Sequence, residues 1–462
     1  MNCLDRVTTP QLQKIHEGKV RDSFRVDEHT RLIVVTDRIS AFDLKMKTPI
    51  PDKGQVLNRL ANWWFHETRD IVGNHVVSMV DGNATLVKEA KPIKVEMIVR
   101  GYLSGSVWRG YQQGRREFSG TSVPDGLTNN ARLPQPIVTP TTKDESDEEI
   151  TPDGIVATGL ATRDMYRQME KISLALFERG TKVLAEKGLI LADTKYEFGL
   201  VDSELVLIDE IHTPDSSRFW EQKRYDENPD KVPQLDKEFV RQWLMANRDK
   251  KSGAYPRVLP ADVVEETARR YREIFTLITG ETIATPEDVH GRLYWSLVRK
   301  GLIKEGYVAV IMGSPADMDH CRKIADMVER YGVKVELRVV SAHKNGERIE
   351  GIAAEYNNSI EPGAVVAVAG ESNGLGGALA SNLNIPVINC PPFKDRTDML
   401  VNLHSSLMMP SKVPASTVVR PDCAALAAVR SLNLRSLRGK LSEEIHQMKE
   451  DLKRADFEAR GW

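Results

Sequence analysis

The runs YVAVIMGSPAD (307–317) and VKVELRVVSAHK (333–344) decide the fold of the carboxyl-terminal half of the chain. Further apolar runs begin near positions 364, 385 and 414, and each gap is long enough for one helix. Short apolar strands that alternate with helices predict a parallel sheet with helices on both faces. We therefore expect a flavodoxin-like doubly wound sheet, with ligands bound beyond the carboxyl ends of its strands.

The amino-terminal half follows a different pattern. Between positions 32 and 210, strand-like runs such as VEMIVRG and ELVLIDE are mixed with one long helix, which predicts an α+β fold. Gly188 is placed to cap the end of that helix. The helix is marked by apolar residues three or four positions apart, namely Met165, Met169, Ile172 and Leu176.

The whole chain is therefore of the α/β class, and we divide it into four segments. Residues 1–283 form the α+β domain and residues 284–306 a helical linker. Residues 307–435 form the parallel-sheet domain. Residues 436–462 form an amphipathic terminal helix, because apolar residues recur at threes and fours among charged ones.

Composition excludes several classes of protein. The 462 residues include 64 Lys and Arg against 66 Asp and Glu, a net charge of −2, which argues against nucleic acid held by bulk charge. We expect no membrane segment, because no apolar run approaches the roughly 18 residues that a membrane helix needs. The four cysteines lie far apart, without a CxxC pair, and the first residues show no secretory signal. We expect reduced thiols and a cytoplasmic protein.

Charged residues converge near the end of the first half. Asp193, Lys195 and Glu197 alternate along one strand and share a face, and the strand LVLI then delivers Asp209 and Glu210 beside them if the two strands form a hairpin. Carboxylates with a lysine suit a magnesium ion that bridges nucleotide phosphates. A solvated ladder of cross-strand ion pairs is the alternative.

A glycine turn near the amino terminus is the second candidate site for phosphate. In HEGKVRD (16–22), Gly18 allows a tight turn that would place Lys19 over a phosphate. The pattern is not that of the Gly-x4-Gly-Lys phosphate loop, and a Gly-Lys pair is also typical of an ordinary turn.

Five motifs in order give the first 280 residues a family resemblance: HEGKVRD, TDRISAFD (36–43), VEMIVRGYLSGS (95–106), DTKYEFG (193–199) and DEIHTPDSSRFW (209–220). They resemble phosphoribosylaminoimidazole-succinocarboxamide synthase, or SAICAR synthetase. The resemblance implies a scaffold distantly similar to ATP-grasp enzymes and kinases. It also implies ATP and Mg²⁺ as cofactors, and a reaction that couples a nucleotide carboxylate to L-aspartate.

The resemblance also implies roles for individual residues. Those over ATP are Gly18, Lys19 and Arg21, and those for magnesium and phosphates are Glu197 and Asp209. Residues that would bind the ribotide phosphate are Arg100, Ser106 and Arg218, whereas Lys195 and Asp215 would lie near the reacting groups. In TPTTKDESDEEI (139–150), Ser146 stands where the family usually has His, and Lys143 and Asp147 are expected substrate contacts.

In the second half, the informative residues follow the strands. Gly313 allows a tight turn and Ser314 offers donors to phosphate, while Asp317 is available for ribose hydroxyls. A dinucleotide site is not expected, because no Gly-x-Gly-x-x-Gly follows the first strand. His343 would be an ordinary loop histidine elsewhere, but its place at the ligand-binding edge favours a functional role.

MGSPAD, RVVSAHK, VAVAGESNGLGG and SSLMMPS resemble, in this order, the aminoimidazole ribonucleotide (AIR) carboxylase and mutase family over residues 307–435. The SNGLG loop, the Lys of SAHK and the SSL-x-MPS run are similar to the animal-type branch, which uses carbon dioxide directly. Glu371 and Met408 depart from it, because they stand where that branch commonly has Arg.

The second resemblance implies a simple mechanism without biotin and without a metal. The aminoimidazole ring is itself a carbon nucleophile, and His343 is the candidate base for its ring proton. Lys344 and Ser314 would bind the phosphate, and Ser341 and Asn373 would order the ring and the new carboxylate.

Together the resemblances imply a bifunctional enzyme of purine biosynthesis, assembled as a homo-octamer. Its second half carboxylates AIR to carboxyaminoimidazole ribonucleotide (CAIR), and its first half joins CAIR to L-aspartate to give SAICAR. The expected partners are therefore small molecules: AIR, carbon dioxide, CAIR, L-aspartate and ATP. Two alternatives stay open for the second half, a mutase and a non-catalytic module for ribotide binding or oligomerisation.

Overall fold

The computed structural model describes residues 2–42, 44–143, 148–235 and 237–461. The chain forms two compact units. The first contains Met1–Arg6 and Lys14–Leu293, and the second contains Val7–Gln13 and Tyr294–Trp462. We describe each unit by itself.

The first unit contains two larger sheets. A five-stranded sheet has the order β1-β2-β3-β7-β6, beside a short β4-β5 hairpin. Its strands are β1 (Gln13–Glu17), β2 (Arg21–Arg25), β3 (Thr30–Val35), β4 (Ser40–Ala41), β5 (Leu44–Lys45), β6 (Val76–Asp81) and β7 (Ala84–Lys88).

The second sheet of this unit is antiparallel and six-stranded. Its order is β11-β8-β13-β14, with β12 beside β8 and β15 beside β13, and β9 and β10 form a separate pair. The strands are β8 (Lys91–Tyr102), β9 (Glu117–Phe118), β10 (Thr121–Ser122), β11 (Arg132–Val138), β12 (Thr141–Thr142), β13 (Leu189–Val201), β14 (Glu204–Ile208) and β15 (Ser217–Glu221).

Helices complete the first unit, and the predicted long helix is among them as α4, which the Thr162 side chain caps. The sequence singled out one long helix between positions 32 and 210, and α1, α2 and α3 lie there too. The apolar stripe of α1 is interrupted by the buried polar residues Lys53 and Asn58. The helices are α1 (Lys53–Glu67), α2 (Gly105–Gln112), α3 (Pro152–Ala157), α4 (Arg163–Ala185), α5 (Gln222–Glu227), α6 (Glu238–Ala246) and α7 (Ala261–Thr279). A further helix, α8 (Val289–Arg299), begins in the first unit, and its residues from Tyr294 onward belong to the second.

A bulge in β13 sets which residues of that strand face the core. Leu191 pairs with Phe219 and Asp193 with Arg218, so one extra residue of β13 lies between them. Before the bulge, the odd-numbered residues Leu189 and Leu191 belong to the main core cluster; after it, the even-numbered residues Tyr196 and Phe198 do. The bulge therefore frees Asp193, Lys195 and Glu197 to share the opposite face.

The second unit is a doubly wound parallel sheet of order β17-β16-β18-β19-β20, as the sequence predicted. One apolar cluster contains Val308 and Val310, the other Ala309 and Ile311, so both sheet faces are covered. The strands are β16 (Tyr307–Met312), β17 (Lys334–Val339), β18 (Gly363–Val368), β19 (Val387–Asn389) and β20 (Ser416–Thr417). The helices are α9 (Met318–Glu329), α10 (Arg348–Asn357), α11 (Gly374–Ala380), α12 (Arg396–Leu407), α13 (Pro421–Ser431) and α14 (Arg438–Ala459).

The apolar stripe of the terminal helix α14 packs against the domain at Leu441 and is exposed to solvent further along the helix. Met448 is 56% exposed and Leu452 is 66% exposed. Over the part of the chain that the structure describes, no helix combines the length and apolar composition of a membrane span.

A short segment near the amino terminus, Val7–Gln13, belongs to the second unit. Thr8 forms a parallel bridge with Ser359, and the Thr9 hydroxyl donates to Oε1 of Glu361 at 2.8 Å. The Ser359 hydroxyl donates to Oε2 of the same carboxyl at 3.1 Å. Burial raises the pKa of Glu361 to about 7, although these hydrogen bonds oppose the rise.

Replacing Gly54 with alanine should destabilise the first unit. A Cβ atom there would lie 2.4 Å from the carbonyl oxygen of Val35, which as backbone cannot move aside cheaply. We expect the free energy of unfolding to fall by about 3 kcal/mol in urea titrations. The control is Gly73→Ala, whose Cβ would meet a single atom at 3.8 Å and should change stability little.

Replacing Glu361 with glutamine should change how stability depends on pH. The unfolded carboxyl loses its proton near its ordinary pKa of 4.5 and the folded one near 7, so this group lowers stability as pH rises between them. Relative to wild type, the variant should gain about 3 kcal/mol between pH 4 and pH 8. Urea unfolding across that range measures it, with the exposed Glu329→Gln as control; equal pH profiles for wild type and Glu361→Gln would contradict the assignment.

Candidate functional site

Two arginines converge beside β13 in the first unit. Arg218 on β15 donates to Oδ2 of Asp193 at 2.7 Å and to the Ser104 hydroxyl at 2.6 Å. Arg100 on β8 lies 3.8 Å from the same carboxylate. Burial raises the pKa of Asp193, but Arg218 and Arg100 lower it more, so it stays ionised. Arg218 also lies 3.9 Å from Glu238, which pairs with Arg241, so three guanidinium groups face two carboxylates and leave a net positive patch that suits a phosphate.

Ser106 completes this patch from the first turn of α2. Its hydroxyl lies 3.4 Å from a guanidinium nitrogen of Arg100, and the other side of that guanidinium donates to Thr139 at 2.9 Å. Gly105, with φ +60°, precedes it, and a Cβ there would lie 3.1 Å from Arg218. A larger residue here would be strained by the positive φ and would crowd the Arg218 guanidinium group, so glycine favours this close approach.

A second charged cluster lies further along the same sheet face. Glu197 on β13 is paired directly with Glu96 on β8, which sets two carboxylates side by side. Lys195 donates to Glu197 at 2.6 Å and to Glu96 at 2.8 Å, and Lys143 also forms an ion pair with Glu197. Burial lowers the pKa of Lys195, but the carboxylates raise it well above its ordinary value, so it stays charged.

The β13-β14 hairpin brings Asp209 to this cluster, as the sequence predicted. Arg21 on β2 lies 3.3 Å from Asp209 and 2.6 Å from Glu210. Burial is the largest influence and raises the pKa of Asp209, but Arg21, Lys195, Lys143 and a hydrogen bond with Glu197 together outweigh it, and the net shift is downward. Burial and Asp209 together raise the pKa of Glu197. The pair therefore consists of a firmly ionised Asp209 and a more basic Glu197.

The glycine turn lies between β1 and β2. The Gly18 amide donates to the Arg21 carbonyl at 2.7 Å, and the buried Arg38 donates to the carbonyls of Gly18 and Lys19 at 3.1 and 3.2 Å. Lys19 is exposed at the tip of the turn. The hydrogen bonds from Arg38 thus hold the turn in place, and strand β2, which follows it, places Arg21 beside Asp209.

A magnesium ion suits the Glu197 and Asp209 carboxylates. Mg²⁺ is commonly held by one or two carboxylates together with substrate phosphates and water. The described residues contain no group of three or more His, Cys, Asp or Glu side chains arranged to hold a metal alone. The donor set therefore fits an ion that arrives with a nucleotide, and Glu197 and Asp209 are the residues that would hold it.

Asp215 occupies a separate, buried pocket near Arg218. Lys53 of α1 donates to its Oδ2 at 2.8 Å, and the Tyr271 hydroxyl of α7 donates to its Oδ1 at 2.6 Å. Lys237, at the start of α6, lies 3.8 Å away. Burial raises the pKa of Asp215, but Lys53 and Lys237 lower it more, which keeps this carboxylate ionised. The last predicted contact of this half, Asp147, lies outside the described residues.

In the second unit, the predicted residues gather at one edge of the sheet. The strands β17, β16 and β18 are adjacent and parallel, so the segments after Met312, Val339 and Val368 emerge together. Ser314 caps a 3-10 turn, Pro315–Asp317, and burial raises the pKa of Asp317. The other predicted residues of the segments after these strands are Ser341, His343, Lys344 and Asn373.

The histidine is accessible and lies against α11. His343 and Lys344 are both exposed. A Cβ at Gly374 would approach the His343 ring to 3.1 Å, so the ring rests on a glycine. Asn373 caps α11 through the Gly376 amide and donates to the Ser406 hydroxyl at 2.8 Å. Both the oxygen and the nitrogen of the Asn373 side-chain amide therefore form hydrogen bonds within the protein, which fix its orientation.

Glu371 and Met408 line a wide cavity beside this edge. Its volume is about 950 Å³, and its walls also include Asp395 and Asp398. Glu371 has φ 57°, and its amide donates to Asn402 at 2.7 Å. Met408 is 80% exposed. The cavity is thus acidic and apolar where the resemblance predicts cations.

Comparison with protein families finds a match in each half of the chain. A family model described as SAICAR synthetase matches residues 14–258, and one described as AIR carboxylase matches residues 307–455. The chain belongs to the SAICAR synthetase family. An AIR carboxylase domain follows in the same chain, so one polypeptide carries two enzymes of purine biosynthesis.

Individual relatives of the synthetase domain are similar over nearly their whole length. The phosphoribosylaminoimidazole-succinocarboxamide synthase of Bacteroides fragilis is 47% identical over 280 residues, 59% of this chain and 89% of the relative. That of Legionella pneumophila is 40% identical over 309 residues, 64% of this chain and 98% of the relative. A solved SAICAR-synthase from Saccharomyces cerevisiae complexed with SAICAR is 35% identical, with a TM-score of 0.54, and covers 61% of this chain and 99% of that one.

Several residues of the synthetase site were not predicted from the sequence. Glu96 could have been found, because it lies four residues before Arg100 on the same strand and therefore shares its face. Lys53, Tyr271 and Lys237 carry no local signal. They come from three helices and meet only in the folded domain around Asp215.

Removing the ammonium group of Lys195 should destabilise the synthetase domain. Lys195→Met leaves Glu96 and Glu197 facing each other without the cation between them, and we expect a loss of about 3 kcal/mol in urea unfolding. Raising the salt concentration should recover only part of it, since the pair is mostly buried. The control is the exposed Lys94→Met on β8. A change in Lys195→Met no larger than in this control would argue against the shared ion pair.

Proposed function

We propose that the synthetase domain joins CAIR to L-aspartate with ATP and Mg²⁺, and that the carboxylase domain makes CAIR from AIR and carbon dioxide. The observation that carries the first step is the placement of two charged clusters on one sheet face. The patch of Arg100, Arg218 and Ser106 suits the ribotide phosphate. The cluster of Lys195, Glu197 and Asp209 suits the nucleotide phosphates with a magnesium ion.

The chemistry requires this charge inventory. A carboxylate is a poor acyl donor until it is phosphorylated, so the ribotide carboxylate and the nucleotide phosphates must approach each other. Glu197 and Asp209 would hold a Mg²⁺ ion that, when bound, screens their repulsion, and Lys19, Arg21 and Lys195 add positive charge at the same place. Aspartate then attacks the acyl phosphate near Asp215, and Lys143 and Asp147 remain predicted contacts of the substrate.

The carboxylase step uses the sheet edge of the second unit. His343 removes the ring proton as carbon dioxide adds to the ring carbon, so neither biotin nor a metal is required. Ser314 and Lys344 bind the phosphate, Asp317 binds the ribose, and Ser341 and Asn373 order the ring. The support for this step is that His343 is exposed at the edge where these segments emerge together.

The mutase is the competing activity for this half, and substrate requirement separates the two. Direct carboxylation needs only AIR and bicarbonate as a source of carbon dioxide. A mutase needs a ribotide that has already been carboxylated on nitrogen at the expense of ATP. Turnover of AIR with bicarbonate alone supports the carboxylase. The third possibility, a non-catalytic ribotide-binding or oligomerisation module, predicts no turnover from either substrate.

We further propose a homo-octamer that works in the cytoplasm, assembled through the carboxylase domains. Exposed apolar side chains on α12 and β17 support an assembly surface: Leu337, Val339, Leu400, Val401 and Leu407. Light scattering of the purified protein measures the subunit number. The segment limits 1–283, 284–306, 307–435 and 436–462 are our proposed functional division.

Two variants should separate the two activities. His343→Asn should lower carboxylation of AIR at least about 100-fold, because it removes the base, and should leave ATP-dependent ligation of supplied CAIR intact. Glu197→Gln should lower the ATP-dependent ligation and leave carboxylation of AIR intact, because it removes a magnesium ligand. The assay follows CAIR from AIR and bicarbonate, and then SAICAR after addition of ATP, Mg²⁺ and aspartate. His446→Asn, an exposed substitution on α14, is the control.

Each result bears on one half alone. Unchanged carboxylation in His343→Asn would remove that residue from the mechanism. Unchanged ligation in Glu197→Gln would remove the magnesium site. Loss of both activities in either variant would point to a folding defect, which circular dichroism and urea unfolding of the same samples detect.

A further inference from the structure

The ligation leaves one proton without an assigned acceptor. Aspartate arrives with its amino group protonated, and an ammonium group has no lone pair with which to attack an acyl phosphate. A base must therefore remove a proton at the attacking nitrogen. The identity of this base, which rests on the proposed ligation, is to be sought among the residues around Asp215.

The carboxylates near that pocket are poorly suited to be the base. Asp215 itself accepts hydrogen bonds from Lys53 at 2.8 Å and from Tyr271 at 2.6 Å. Asp193 is neutralised by Arg218 at 2.7 Å. A carboxylate held in this way stays ionised and gains little from a proton, so its pKa lies below the ordinary value.

Lys237 is placed differently. Its Nζ lies 3.8 Å from Oδ2 of Asp215, beyond hydrogen-bond distance, whereas Lys53 makes the close contact with that oxygen. Its side chain is 16% exposed, so it is mostly buried but can be reached. The next residue, Glu238, lies 3.9 Å from Arg218, which places the start of α6 beside the phosphate patch.

We propose that Lys237 is the base that accepts a proton from the amino group of the incoming aspartate. The freed nitrogen lone pair attacks the acyl carbon, and the bond from that carbon to the phosphate oxygen breaks. The leaving phosphate takes a second proton from the attacking nitrogen. The amide keeps the third hydrogen, and Lys237 returns its proton to solvent, so atoms and charges balance.

The surroundings of Lys237 keep a neutral form accessible. Burial is the largest influence and disfavours the ammonium form; Lys53 and Arg241 act in the same direction, while Asp215 and Glu210 oppose them. The balance lowers the pKa of Lys237 to about 8. A lysine with that pKa is partly neutral at physiological pH and is a stronger base than any ionised carboxylate nearby.

Two substitutions test the proposal by how they affect turnover. Lys237→Met should lower kcat for ligation about 100-fold and leave the KM for aspartate within about threefold, as expected for a missing base. Lys237→Arg should fail equally, because a guanidinium keeps the charge but does not give up its proton. If the residue only bound a carboxylate, Arg would restore activity, or KM alone would rise. Either result overturns the proposal.

Two further measurements separate this inference from folding and from the proposed function. Hydroxylamine, which is already neutral near pH 7, should still trap the acyl phosphate in Lys237→Met at a rate within about threefold of wild type, because its attack needs no lysine base. Added methylamine should partly rescue ligation of aspartate. Hydroxylamine trapping that is lost together with ligation, in a variant that unfolds like wild type, would contradict the role as base. No trapping and no ligation in the wild type would instead defeat the proposed function itself.

The pH profile gives the last independent readout. In the wild type, kcat for aspartate should rise with pH and level off above about pH 8, as Lys237 loses its proton. This rise of kcat with pH, the ascending limb of the profile, should be absent in Lys237→Met. The exposed Lys231→Met is the control and should keep the wild-type profile, and a limb that persists in Lys237→Met would assign the titration to another group.

Discussion

The synthetase domain depends on one interaction, the ammonium group of Lys195 between Glu96 and Glu197. The two carboxylates are direct cross-strand neighbours, an arrangement that is unfavourable when both are ionised and no cation lies between them. Lys195 donates to both, within 2.8 Å, and Arg21 from another sheet forms ion pairs with Asp209 at 3.3 Å and with Glu210 at 2.6 Å. The domain thereby keeps several carboxylates on one face without neutralising them by protonation. Under the proposed function, a magnesium ion and phosphates would find oppositely charged groups already in place.

The two domains solve the problem of anion binding with different means. The synthetase site uses side-chain charge, because under the proposed function three anionic substrates meet there and their repulsion has to be screened. The carboxylase site relies on the geometry of a parallel sheet, in which adjacent strands deliver Ser314, His343 and Asn373 to one edge. Neutral carbon dioxide makes no demand for a counter-charge. The difference in charge density between the two sites follows from the charge of what each has to hold.

The sequence predicted structure best where residues or elements repeat regularly along the chain. Alternation of strands and helices predicted the doubly wound sheet, and the period of two placed Asp193, Lys195 and Glu197 on one face. The bulge in β13 that makes this possible has no sequence signal, since any residue can occupy it. The residues around Asp215 could not be predicted from the sequence either, because Lys53 lies 162 residues and Tyr271 lies 56 residues away along the chain. Such contacts depend on helix packing, which local patterns do not encode. The roles of the individual site residues remain predictions.

The departures at Glu371 and Met408 bear on the direction of the carboxylase step. Both side chains line an open cavity with Asp395 and Asp398, so the walls near the sheet edge carry negative charge where arginine would supply positive charge. Carbon dioxide is uncharged and is indifferent to this change, whereas the product carries a new carboxylate that an acidic wall disfavours. Under the proposed function, the substitutions weaken product binding more than substrate binding. A site built in this way gives up its product readily, and consumption of that product by the ATP-driven ligation then draws a reversible carboxylation forward.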